Sequence, residues 1–104
     1  MSDYIKVTVM CRLIGTANNL SDTILYKRLA AGYTNTNAYS KCWIHDQLVA
    51  KKSYKLEFQT KKSLFEAIEN EIRKSGFSDI FEVSYCEIEA ADQSFFDWIE
   101  KNVR

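Results

Sequence analysis

The sequence predicts an α+β fold built on a four-stranded antiparallel sheet, and three observations predict it. Over residues 53–60, Tyr54, Leu56, Phe58 and Thr60 point one way while Lys55, Glu57 and Gln59 point the other. That period of two is what a half-buried strand requires. A second strand-like stretch, Tyr33 to about Ile44, precedes it and joins it through His45-Asp46-Gln47, so the two read as a long hairpin. The hairpin in turn lies between two strand-and-helix units, which gives the order β-α-β-β-α-β-α.

Each element has its own warrant. Ile5, Val7, Val9, Cys11 and Leu13 alternate with Lys6, Thr8, Met10 and Arg12, which predicts a strand over roughly residues 4–14. Gly15-Thr16 breaks it, and a helix is expected to follow as far as Ala31, capped by Thr16, Asn18 or Asn19. Leu20, Ile24, Leu25 and Leu29 form its apolar stripe, and Gly32 suits the left-handed residue that commonly ends a helix. In the first hairpin strand Tyr33, Tyr39 and Trp43 share one parity, and Thr34, Thr36, Ala38, Ser40 and Cys42 the other. Ser63 and Glu66 have the spacing of a capping box opening a second helix, with Leu64, Phe65, Ile68 and Ile72 on its core face. Gly76 closes that helix, and Phe77 is placed to fold back over its last turn. Residues 80–88 give a fourth strand, and Asp92 or Ser94 caps a terminal helix carrying Phe95, Trp98, Ile99 and Val103. Right-handed crossovers around a central hairpin put both main helices on one face of the sheet, the ferredoxin-like arrangement.

Composition narrows the function classes. The 104 residues are expected to form one domain around one core. Fourteen basic residues balance fourteen acidic ones, without the basic excess of an electrostatic nucleic-acid binder. Apolar runs fall far short of the ~20 residues needed to span a bilayer, and Met1-Ser2-Asp3-Tyr4 lacks the basic start of a secretory signal. A cytoplasmic location is expected. Cys11, Cys42 and Cys86 are odd in number and widely spaced, which fits neither a disulfide framework nor a zinc pattern. There is no proline. A hairpin this long outgrows what two short helices can cover, so part of it is expected to be buried by another copy of the chain.

Four pieces of the chain carry a resemblance. Arg28-Leu29-Ala30-Ala31 followed by a strand with Trp43, the strand ending Phe58-Gln59-Thr60, Phe81-Glu82-Val83, and Phe95-Phe96-Asp97-Trp98-Ile99 resemble, in this order, the CutA family of divalent-cation tolerance proteins. The resemblance spans nearly the whole chain, with a small deletion between Ala31 and Trp43 and about one extra residue in the hairpin turn. It implies a tight homotrimer assembled through the hairpin strands. It also implies a role in the response to divalent metal ions, by binding or scaffolding and not as an enzyme. The family's proposed metal ligands are a cysteine late in the first strand and a pair of histidines after the second helix. Cys11 matches the first, but Ser75 and Gly76 stand where the histidines would be. Gly32 likewise replaces a cysteine, and Ser53 an acidic residue. A soft cation wants several nitrogen or sulfur donors in fixed geometry. No resident cofactor is therefore expected, only weak binding of copper or zinc, and Cys11 reads better as a buried thiol than as a ligand.

The remaining candidates are weighed in the same way. His45, the only histidine, sits at the hairpin turn, where a solvated imidazole is the simpler reading. Tyr39, Trp43 and Tyr54 suggest an aromatic-lined pocket between subunits that would take a small ligand, although interface packing explains them too. Glu82, at the family's Pro-Glu position, lines that cleft or pairs with a lysine. Lys51-Lys52 and Lys61-Lys62 read as edge lysines that discourage strand pairing. No membrane or nucleic-acid partner is expected. Two alternatives share the topology: a PII-like or ACT-like regulatory module that binds small molecules at subunit interfaces, and an acylphosphatase-type enzyme. The second would need Arg12 aimed into an anion-cradling loop, and Leu13-Ile14-Gly15-Thr16 lacks the glycine-rich cradle.

Overall fold

A computed structural model describes residues 1–104. The chain runs β1 (Tyr4–Cys11), α1 (Ile14–Tyr26), β2 (Gly32–Ile44), β3 (Gln47–Lys61), α2 (Phe65–Ser75), β4 (Ile80–Glu87) and α3 (Gln93–Asn102), with a 3-10 turn over Lys62–Leu64 leading into α2. Every strand pair is antiparallel, in the order β2-β3-β1-β4. This is the ferredoxin-like sheet that the sequence predicts.

Strand parity sorts the side chains between two faces of the sheet. Ile5, Val7, Val9 and Cys11 of β1, with Leu56, Phe58 and Thr60 of β3, are wholly buried. They meet Leu20 and Ile24 of α1 and Ile68 and Ile72 of α2. Fully burying an aliphatic or Phe side chain contributes about 1.5–3 kcal/mol, so this layer is the main source of cohesion. The third helix lies on the opposite face. There Ile99 is wholly buried, and the Phe96 ring stacks on Tyr4 at 4.6 Å between centroids.

The helix boundaries differ from the sequence reading, for physical reasons. Helix α1 stops at Tyr26 and not at Ala31. Arg28, with φ 57°, takes the left-handed position assigned to Gly32. The chain must leave the helix early because Gly32 already pairs with Gln59 and the Ala31 N–H bonds the Gln59 carbonyl at 2.8 Å. Gly32 is glycine for another reason: a Cβ there would stand 2.8 Å from Cη2 of the Trp98 indole. The expected capping box makes no side-chain bond, since Ser63 falls inside the 3-10 turn and α2 starts at Phe65. Asp92 does precede α3, but its backbone carbonyl, not its carboxylate, accepts from Phe95 N–H. Gly76 behaves as expected, ending α2 in the left-handed region at φ 69°.

The hairpin is longer than the alternation alone suggested. β3 begins at Gln47 rather than Ser53, and the turn has two residues, His45 and Asp46. Pairing runs without a register shift from Gly32↔Gln59 to Ile44↔Gln47. β1 reaches along β3 only as far as Cys11↔Tyr54. Beyond that point, from Ala38↔Ser53 to the turn, the two strands run on with no third strand beside them.

Candidate functional site

The ground where the hairpin leaves the sheet is set by the end of β1. Arg12 and Leu13 turn the chain into α1, and their N–H groups donate to Oδ2 of Asp79 at 3.1 and 3.0 Å. The Thr16 hydroxyl donates to Asp79 Oδ1 at 2.8 Å. A carboxylate from the α2–β4 connection therefore pins the turn into α1 and lies at its N-terminal end, where the helix dipole favours negative charge. Partial desolvation pushes the Asp79 carboxyl up, but the hydrogen bonds from Thr16, Leu13 and Arg12 outweigh it and hold it below the usual range. The acylphosphatase-type alternative needs an anion-cradling loop here, whereas the Arg12 and Leu13 N–H groups of this loop are taken by the Asp79 carboxylate.

Beside this turn, at the root of the projecting hairpin, lies a cavity of about 370 Å³. Its walls follow from register. Asn37 faces Tyr54 and Tyr39 faces Lys52 across the two strands, on the parity of Leu56 and Phe58, so all four leave the helix-bearing face just where the helices stop. Ala38 and Ser53 form the floor between them, and Arg12 closes the side toward β1. The side chains of Arg12 and Lys52 make no ion pair.

Two of the four residues expected in a pocket between subunits come together within one protomer. Tyr39 and Tyr54 share the cavity. Trp43 lies further along the projecting strands, opposite Leu48, and is 75% exposed. Glu82 pairs with Met10 and sits on the other face, where its carboxylate accepts from the Ser84 hydroxyl at 2.8 Å and no lysine reaches it. Arg12, Asn37 and Lys52 are the wall residues that sequence reasoning did not assign to a pocket. Three of the four lysines in the two pairs have individual partners, and Lys52 has none. Lys51 lies over the Phe81 ring at 4.1 Å, Lys61 bonds Glu100 at 3.3 Å and Lys62 bonds Glu87 at 3.1 Å. His45 is exposed at the turn.

Comparison with known proteins decides the kinship. The sequence profile of the family described as CutA1 divalent ion tolerance protein matches residues 5–102. The chain belongs to the CutA1 family. Among solved structures, CutA1 from Oryza sativa superposes with TM-score 0.89 at 20% identity, covering 99% of this chain and 95% of its own. CutA from Xylella fastidiosa gives 0.88 at 17% identity, over 99% of this chain and all of its own. The periplasmic divalent cation tolerance protein CutA from Archaeoglobus fulgidus gives 0.87 at 19%, over 97% and 99%. At these identities the likeness establishes the shared fold. No curated protein sequence matches the chain.

In this CutA1 family member the positions discussed as metal ligands are dispersed in chemistry. Cys11 is wholly buried on the core face. Burial, then the nearby Asp79 carboxylate, push its thiol up to about 11, against a weak hydrogen bond to the Leu13 carbonyl. Ser75 turns its hydroxyl onto the Ile72 carbonyl, and Gly76 is the helix stop. No cluster of three or more His, Cys, Asp or Glu side chains forms a cage.

Proposed function

We propose that this CutA1 family protein works as a homotrimer in divalent-ion tolerance, binding or scaffolding rather than turning over a substrate. One observation carries the reading: the hairpin runs well past the end of β1, and its outer part is left exposed. Tyr39, Trp43 and Leu48 share one face of the projecting strands and are 66, 75 and 57% exposed. The outer edge of β2 is unpaired along its whole length. An apolar stripe beside an open strand edge favours cover by a second chain, and the family resemblance supplies the number three. The cytoplasm is proposed as its compartment because all three cysteines are free thiols. No helix is long and apolar enough to cross a membrane.

Light scattering on the purified chain tests the assembly. A mass three times the protomer's 12.1 kDa at micromolar concentration is expected; a stable monomer would sink the proposal. The PII-like or ACT-like reading keeps one favourable observation, the cationic cavity at the hairpin root.

A further inference from the structure

We propose that this cavity binds a small organic anion, a carboxylate or phosphate carried on a planar ring. The inference deepens the ligand-binding reading and rests on it. All the wall residues come from one chain, and Tyr39 also belongs to the stripe assigned to the trimer interface, so assembly would place a neighbouring chain at the mouth of the cavity.

Charge is the first argument. Arg12 and Lys52 both face the cavity, and no wall residue is acidic. Neither cation has an anionic partner in the fold. Asp79, a carboxylate beside the Arg12 turn, already receives two backbone N–H groups and a hydroxyl. Two like charges beside one cavity repel each other, and an anion between them removes that repulsion. Arg12 offers a planar fork matched to two oxygens of a carboxylate or phosphate, and Lys52 a compact point charge.

The rest of the wall selects what carries the charge. Tyr39 and Tyr54 sit on the diagonal of the four-residue square, whereas Asn37 and Lys52 occupy its other corners. Both tyrosine rings line the cavity and do not stack on each other, so their faces and edges are open to a flat ring through offset or edge contacts. Asn37 adds a donor and an acceptor for a ring substituent. The volume, about 370 Å³, lies at the lower end of the range for ligand sites. That size suits a single-ring anion and not a dinucleotide.

The test titrates the full chain calorimetrically with phenyl phosphate and benzoate. Inorganic phosphate and neutral benzamide serve as controls. One aryl anion per chain is expected to bind about tenfold or more tighter than benzamide, and to weaken as salt rises from about 50 to about 300 mM. Phenyl phosphate and benzoate compared side by side tell which oxyanion the site takes. Arg12→Gln and Lys52→Gln should each weaken binding about fivefold or more, while Lys6→Gln, on the opposite face, leaves it unchanged. Aryl anions that bind no better than benzamide, or that bind equally well to both charge variants, would overturn the proposal. Inorganic phosphate binding as tightly as phenyl phosphate would overturn its planar-ring part. Scattering on the same samples separates the outcomes: a trimer that ignores the anions defeats this site alone, and a monomer that binds them defeats the assembly alone.

Discussion

Asp79 lies 63 positions after Thr16 and holds the first turn of α1. That helix starts at Ile14, so Thr16, Asn18 and Asn19 all fall inside the helix that one of them was expected to cap. Replacing Asp79 with alanine removes three hydrogen bonds at once, and by analogy with lost helix caps should cost about 1–2 kcal/mol in a urea titration at neutral pH. The pH dependence follows from the direction of its shift. Its carboxyl is held below the ordinary value, so its contribution is complete above the unfolded value of about 3.9 and is lost as pH falls through the lower folded one. Asp79→Ala and the parent should therefore converge in stability toward about pH 2; a gap that stays constant would remove the charge from the explanation. Cys11 moves the other way. With its thiol pushed up to about 11, it stays protonated at neutral pH, whereas metals bind the thiolate. Calorimetry should show weak copper or zinc binding that Cys11→Ser leaves unchanged.

At the scale of elements, the hairpin turn shows a local rule obeyed with unusual residues. His45 and Asp46 both have positive φ, 49° and 63°, the backbone of a type I′ turn that favours Asn-Gly. Asp46→Gly should raise stability by about 0.5–1 kcal/mol, read from the urea midpoint; a loss would mean that the Asp side chain holds the turn. The strands were legible in the sequence because alternation is local. Val7, Val9, Leu56 and Phe58 announce their face without reference to any other element. The end of α1 was not legible, because Gly32 is claimed by pairing with Gln59 and by the Trp98 indole, neither of them a neighbour in sequence. The carboxylate at the start of α1 was hidden for the same reason, since Asp79 is far in sequence from Arg12, Leu13 and Thr16, which it meets only in the fold. Tyr39 and Tyr54 could be picked out as aromatic residues on hairpin strands. Arg12 and Lys52 carry no such mark, and only the early end of β1 at Cys11 brings them to one cavity.

On the scale of the whole molecule, the shape itself argues for company. The protomer measures 44 × 27 × 21 Å, with a radius of gyration of 14.3 Å, against about 13 Å for a compact chain of this length. Its accessible surface is 6582 Å², where about 6,000 Å² is usual for this mass. Both excesses accord with the projecting strands. If the trimer buries them, the melting temperature should rise with protein concentration. Trp43→Glu, which places a charge on the apolar stripe, should abolish that rise and leave far-UV circular dichroism near the parental signal. A variant that keeps the concentration dependence would move the interface away from Trp43.

The slot at Gly32 has a practical consequence for anyone watching this protein in solution. The chain has two tryptophans, and the hairpin separates them: Trp98 rests on the bare backbone where the hairpin begins, and Trp43 stands near its tip. Emission from a Trp43→Phe variant would then report the docking of the C-terminal helix alone. Emission from a Trp98→Phe variant would follow the meeting of neighbouring chains, so two wavelength-resolved signals of distinct origin are written into the native sequence.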